Sequence, residues 1–230
     1  MLDKLLERYE AVVVLDTETT GVYCRRDEII ELAALRVVRC GAELRREAEM
    51  DDLIRLPEGR RLPGVITDLT GITDQMLQAD GVCAQQAAER FASMLTPETL
   101  LVAYNAQFDL SFLYFFLLPF GLADRLRHVA RIDAMTVYKD RRPYPHRLAN
   151  AVEAYRLAGQ NTHRAIDDAA ATLELLCAME RERDDLERYI DLFGYNPKYG
   201  APRPRIRSVT YRAQPYDSPL PLYALPDAEP

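Results

Sequence analysis

The run AVVVLD, residues 11–16, is apolar and β-branched up to its last position, where it meets Asp16 and the polar stretch TETTGV. Such a run reads as a buried strand that ends in a loop. A second run of the same form, LLVAYN (100–105), leads into a helix from about residue 107 to 118. IIELAALRVV (29–38) and the segment near 43–54 read as two further strands, hairpin-linked through Cys40 and Gly41. HVARID (128–133) reads as a last short strand, with Asp133 placed to cap the helix that follows. The stretch TDLTGITDQML supplies a loop with a short helix. AAERFASML (87–95), closed by Pro97, RLANAVEAYRL (147–157) and AIDDAAATLELLCAME (165–180) have helical spacing. Three early strands followed by strand–helix alternation predict an α/β fold built on a mixed sheet.

The chain has 230 residues, 48% of them hydrophobic, enough for one large domain with an appendage. From Gly194 onward the texture changes to proline, tyrosine and arginine without helical or strand period. Residues 1–193 are therefore expected to form the domain and 194–230 an irregular extension without its own core. The four cysteines are scattered and form no CxxC pair, which suits a reducing cytoplasm. The N-terminus lacks the long apolar core of a secretory signal. The most apolar window, FLYFFLLPFGLA (112–123), is too short to span a bilayer and is broken by Pro119, so it reads as a buried helix and no membrane partner is expected. A formal charge of −7 excludes a polycation that coats nucleic acid. It leaves room for phosphodiester chemistry where bound cations neutralise carboxylates locally.

Three groups of acids stand out. Asp16 and Glu18 are two residues apart, so on an extended backbone both carboxylates share a face while Thr17 points away. Two anions held together repel unless a cation offsets them, and oxygen donors of this kind suit Mg²⁺ or Mn²⁺. Taken alone, the pair equally describes two solvated acids opening a loop. Asp109 follows the LLVAYN strand near a helix start, where a plain charge–dipole role would also account for it. His163 precedes Asp167 and Asp168 in HRAIDDAAAT, and a histidine side chain suits a general base near neutral pH. By itself it reads equally as a surface histidine beside an acidic turn.

Together the groups are more specific. DTETTG (16–21), LTGITDQML (69–77), NAQFD (105–109) and HRAIDDAAAT (163–172) resemble, in order, the sequence blocks of the DEDDh branch of DnaQ-like 3′–5′ exonucleases. The resemblance covers about residues 8–180 and is strongest to the proofreading exonucleases of bacterial DNA polymerase III, both the epsilon subunit and the exonuclease domain inside PolC. It implies an RNase H-like fold, with a five-stranded mixed sheet flanked by helices. It also implies two divalent cations, Mg²⁺ or Mn²⁺, held by Asp16, Glu18, Asp109 and Asp168, with His163 as general base.

The choice of Asp168 rests on the family's spacing, in which the last aspartate follows the histidine by five residues. Helical i,i+4 geometry would instead pair His163 with Asp167, but only if His163 were inside the helix. With Ile166, Ala169, Leu173 and Leu176 facing the core, the two aspartates flank the apolar stripe. Asp168 shares its side with Ala165, Thr172 and Leu175, Asp167 with Glu174 and Arg181.

By the same resemblance, Thr17, Thr19, Thr70, Asn105 and Phe108 lie near the terminal nucleotide, although Phe108 reads equally as core and some relatives carry histidine at the position of Thr70. The implied activity is 3′–5′ hydrolysis of single-stranded or frayed DNA to nucleoside 5′-monophosphates, of the proofreading type, with DNA favoured over RNA and a DNA polymerase subunit as candidate partner. An RNA 3′-end exonuclease and a non-catalytic adaptor are the alternatives. Two basic stretches remain. KDRRPYPHR (139–147) could meet substrate phosphates, and Lys198, Arg203, Arg205, Arg207 and Arg212 form a strip suited to a nucleic-acid backbone or a partner, if it is not a solvated tail.

Overall fold

A computed structural model describes residues 1–159, 162–216 and 218–225. Gln160, Asn161, Asp217 and residues 226–230, the last six belonging to the expected extension, lie outside the described residues. Five strands form the central sheet: β1 (Ala11–Thr19), β2 (Ile29–Cys40), β3 (Glu43–Leu53), β4 (Thr99–Ala103) and β5 (Ala130–Asp133). Their spatial order is β3-β2-β1-β4-β5. The first three pair antiparallel, whereas β4 and β5 join parallel to β1. This is the five-stranded mixed sheet, flanked by helices, that the sequence predicts.

β1 runs three residues beyond AVVVLD, because β2 stays paired with it through Thr19. The stretch read as a polar loop therefore begins as strand, which fixes Asp16 and Glu18 on a rigid backbone. The register shifts between Glu18 and Thr19, where Ile30 is the extra residue on β2, so the bulge lies in β2 opposite the second carboxylate.

Among the described residues eight α-helices accompany the sheet: α1 (Asp3–Arg8), α2 (Gly64–Thr70), α3 (Asp74–Ala79), α4 (Ala84–Ser93), α5 (Ala106–Leu117), α6 (Ala134–Lys139), α7 (Leu148–Tyr155) and α8 (Ala165–Glu182). Alternate residues of β1 face two apolar layers. Val12 and Val14 pack with Leu175, Leu176 and Met179 of α8, whereas Val13 and Leu15 pack with Phe91 of α4 and Leu113 of α5. A strand that is apolar at every position is thus covered on both faces. No helix among the described residues is long and apolar enough to cross a membrane.

The C-terminal stretch is irregular over most of its length, but it contributes two short strands that periodicity did not reveal. β6 (Leu192–Tyr195) and β7 (Thr210–Ala213) pair in parallel, apart from the main sheet. The extension docks through polar contacts. Gln214 donates to the Thr136 carbonyl at 2.9 Å and to Asp140 at 2.7 Å, and the Gly194 amide donates to Thr136 Oγ1 at 2.9 Å. A Cβ at Gly194 would lie 2.0 Å from Gln214 Oε1, so this close approach needs glycine.

Candidate active site

The site lies where β1 ends between the starts of α5 and α8. Glu18, His163 and Asp168 offer ligand atoms that all lie within 4.8 Å of one another. Asp16 and Asp109 stand outside that threesome, although Asp109 and Asp168 are the charges that act most strongly on Asp16. Asp167 is exposed and accepts a hydrogen bond from the Thr162 hydroxyl at 2.6 Å, whereas Asp168 is 5% exposed and accepts from the Thr162 amide at 3.2 Å.

The buried face of α8 is turned relative to expectation. Ala165, Asp168, Ala169, Thr172, Leu175 and Leu176 are buried, while Ile166 and Leu173 are only half-buried. The core stripe is therefore centred on the side that carries Asp168, because the small residues Ala165 and Ala169 let the helix start lie close against the sheet.

His163 has φ +58°, a left-handed conformation that histidine tolerates better than most residues. It stands just before the helix, so the i,i+4 pairing with Asp167 does not apply. Asn105, immediately before α5, is also left-handed at φ +66°. Both helices that carry a site aspartate are therefore entered through a sharp reversal of the chain.

Each of those reversals is held by a buried carboxylate that sequence reasoning did not assign to the site. Glu31 on β2, 0% exposed, accepts from Arg164 Nε at 2.8 Å and from the Ala165 amide at 2.8 Å, which anchors the start of α8. It pairs directly with Glu18 across the two strands, a like-charge pairing that Arg164 offsets. Asp133 accepts from the amides of Asn105 and Ala106 at 2.9 and 3.1 Å, in addition to capping α6 through the Met135 amide. The signal for Glu31 was present in the chain, as a lone acid inside the apolar run IIELAAL.

Asp109, 3% exposed, accepts a hydrogen bond from Thr17 Oγ1 at 2.7 Å. Thr17 does point away from Asp16 and Glu18, and in doing so it faces α5 and fixes the third carboxylate. The other expected substrate contacts are distributed differently. The Thr19 hydroxyl donates to the Gly21 carbonyl at 2.6 Å, and the buried Thr70 hydroxyl donates to the Ile66 carbonyl at 2.9 Å. Asn105 is exposed at the site. Phe108 is half-buried against Phe112, with ring centroids 4.8 Å apart, so one edge belongs to the core and the other remains open. In the basic loop 139–147, Arg141 pairs with buried Asp185 and Arg142 with Glu182 at 2.8 Å.

Crowding of acids has an electrostatic consequence. Burial, then the charges of Asp168, Glu31 and Asp109, push the Glu18 carboxyl up to about 8. Burial and the charges of Asp109 and Asp168 hold Asp16 well above the carboxylate range. Asp109 is raised to about 7, chiefly by burial, with the Thr17 hydrogen bond opposing the shift. Acids gathered in this way favour protonation unless positive charge enters among them. Their oxygen donors, with one imidazole beside them, fit hard divalent cations such as Mg²⁺ or Mn²⁺.

A family model described as an exonuclease matches residues 13–176, which include all five of these groups. The chain is 35% identical over 181 residues to the PolC-type DNA polymerase III of Halalkalibacterium halodurans, covering 76% of this chain and 12% of that protein. It is 35% identical over 194 residues to its Bacillus subtilis counterpart, covering 78% of this chain and 12% of that one. The chain thus spans about one-eighth of the length of these relatives. Among solved structures, the zinc-bound E. coli ExoI–ssDNA complex superposes with a TM-score of 0.67 at 20% identity, covering 79% of this chain and 42% of that one. Exonuclease I from Methylocaldum szegediense gives 0.65 at 21% identity, over 75% of this chain and 40% of that one. At such identities the likeness is one of fold.

Proposed function

The chain belongs to the DnaQ-like exonuclease family, and from that premise we propose that it is a metal-dependent 3′–5′ exonuclease acting on single-stranded or frayed DNA ends. The observation that carries this reading is the convergence of Glu18, His163 and Asp168 within 4.8 Å, beside half-buried Asp16 and buried Asp109. A binding relic has no use for such a cluster, since buried acids without compensation destabilise the fold.

In this reading Asp16, Glu18, Asp109 and Asp168 hold two divalent cations, Mg²⁺ or Mn²⁺, which would supply charge neutralisation at the attacking and departing oxygens. His163, exposed at the helix entry, accepts a proton from water as that oxygen bonds to the terminal phosphorus. The bond from phosphorus to the 3′ oxygen of the preceding nucleotide breaks, and that oxygen takes a proton from solvent. The product is a nucleoside 5′-monophosphate. In this reading Asn105 and Phe108 touch the terminal nucleotide, and Thr17, Thr19 and Thr70 border it. Their hydroxyls keep acceptor capacity after donating within the chain.

Proofreading for a DNA polymerase subunit, in the cytoplasm, is the role this reading favours, because the relatives that share this segment are PolC-type DNA polymerase III. Residues 1–193 serve as the exonuclease domain and 194–230 as its extension. The decisive assay compares 5′-labelled single-stranded DNA, 3′-mismatched duplex and RNA of the same length, each with Mg²⁺, Mn²⁺ or EDTA. Stepwise shortening from the 3′ end of DNA, abolished by EDTA and by Asp16→Ala, is expected. Hydrolysis of RNA alone would move the substrate class. Hydrolysis unaffected by Asp16→Ala would remove the carboxylate site from the reaction.

A further inference from the structure

Beside α5, on the side away from α8, lies a cavity of about 610 Å³ floored by the helix and walled by residues 204–208 of the C-terminal extension. A second hollow of about 670 Å³, between the loop after β1 and residues 203–205, adjoins it and shares Arg25, Pro204 and Arg205. The two form one groove. Among the described residues no carboxylate lines either part, although the protein as a whole carries a charge of −7. Arg25, Arg203, Arg205 and Arg207 are exposed on its walls, and none of them has an acidic partner among the described residues. Arg25 rests on the ring of Phe115 at 5.1 Å, which presents its guanidinium over an aromatic floor. Tyr114 on the same helix is 37% exposed, and Tyr23 at the mouth of the second hollow is 61% exposed.

The extension is fixed to α5 by a residue close to the catalytic cluster. Gln107, two positions before Asp109, donates to the Pro204 carbonyl at 2.8 Å and accepts from the Tyr211 hydroxyl. Tyr211 in turn accepts from the Ile206 amide at 2.9 Å. The arginine wall is therefore held to the very helix that carries Asp109. The opposite wall, Val22 to Arg25, continues from the DTETTG segment that carries Asp16 and Glu18. Both walls of the groove thus lead back to the carboxylates.

We propose that this groove, formed by the C-terminal extension against α5, holds the single-stranded nucleic acid upstream of the 3′ nucleotide in the active site. The proposal rests on the exonuclease reading and adds to it a role for residues 203–207. Unpaired guanidiniums match a run of phosphates, and the apolar and aromatic floor accepts bases of any sequence by stacking. An acidic peptide would find the same charges, but a nucleic-acid strand is favoured because the groove's walls continue from β1 and α5, two of the three elements that deliver the site's carboxylates.

The test compares the wild-type chain with the triple variant Arg203→Ala, Arg205→Ala, Arg207→Ala, in which only exposed side chains are removed. Hydrolysis is measured on a dinucleotide and on a long oligonucleotide, as DNA and as RNA. Binding of the long strand is measured in EDTA at several salt concentrations. The ratio of kcat/KM for long strand over dinucleotide is expected to fall about tenfold or more in the variant, as phosphate contacts and their counterion release are lost. The slope of log affinity against log salt is expected to shrink by about 1 for each phosphate contact removed. An unchanged ratio and slope in a variant with normal melting would overturn the groove while leaving the exonuclease intact. Absence of hydrolysis by the wild type would instead sink the exonuclease reading, and the binding arm would still decide the groove. Arginine-dependent capture of an acidic peptide, with strand binding unaltered, would assign the groove to a protein partner and also overturn the proposal.

Discussion

Glu31, wholly buried on β2, grips Arg164, the residue between His163 and the first turn of α8, with Nε and an amino nitrogen both within 2.8 Å of the same carboxylate oxygen. The other oxygen holds the Ala165 amide. This one carboxylate therefore sets where the histidine and Asp168 stand relative to β1. Glu31→Ala leaves the buried Ala165 amide without its partner and Arg164 to solvent, and is expected to destabilise by about 1–3 kcal/mol. Turnover should fall as well. Chemical denaturation and a nuclease assay on the same preparation check both, and wild-type stability would show that the ion pair contributes nothing.

Thr17 and Asp109 form a second positioning pair. Thr17→Val keeps the shape but removes the donor from a buried carboxylate, a loss of about 1–3 kcal/mol. Thr17→Ser restores the donor and should recover both melting temperature and activity. Equal behaviour of the valine and serine variants would count against a role for this hydrogen bond.

The two adjacent aspartates of α8 should separate cleanly. Asp168→Asn is expected to lower turnover by about two orders of magnitude or more, the scale on which loss of one preorganised electrostatic group acts. Asp167→Asn, at an exposed position whose contact is the Thr162 hydroxyl, should retain most of it. The reverse ranking in steady-state kinetics would transfer the role to Asp167.

The metal-stripped protein should show an inverted response to pH. Glu18 has an ordinary value of 4.5 and is pushed up to about 8 in the fold, with Asp109 raised to about 7. Between those limits the unfolded chain has lost protons that the folded protein retains, so stability falls as pH rises from about 4.5 towards 8. Melting curves in EDTA should drop across this window, and Mg²⁺ or Mn²⁺ should restore most stability at its upper end. A melting temperature indifferent to added cations at pH near 8 would contradict the assignment of these carboxylates as ligands.

Docking of the extension can be probed at Gly194. A methyl group there would collide with Gln214 Oε1, whose side chain is held by Thr136 and Asp140. Gly194→Ala is expected to cost about 1–3 kcal/mol through overpacking and to speed proteolysis after residue 195. Unchanged cleavage would mean that Gln214 yields without loosening the strand pair.

Much of this architecture was legible in the chain itself. AVVVLD and LLVAYN announce buried strands because their apolar side chains leave no face for water. DTETTG, NAQFD and HRAIDDAAAT announce carboxylates at element ends, because residue type and spacing survive in a linear reading. The choice of Asp168 over Asp167 came from the spacing of the family that the chain resembles. Tertiary structure alone decided what holds those groups in place. Glu31 meets Arg164 across 133 residues, Thr17 meets Asp109 across 92, and Gln107 meets Pro204 across 97. No local period encodes such partners, since each depends on which buried polar group lacks a neighbour once the layers have packed. The arginine strip of the extension is the clearest case. Its residues were visible as charges, but only docking against α5 turned them into the wall of a groove.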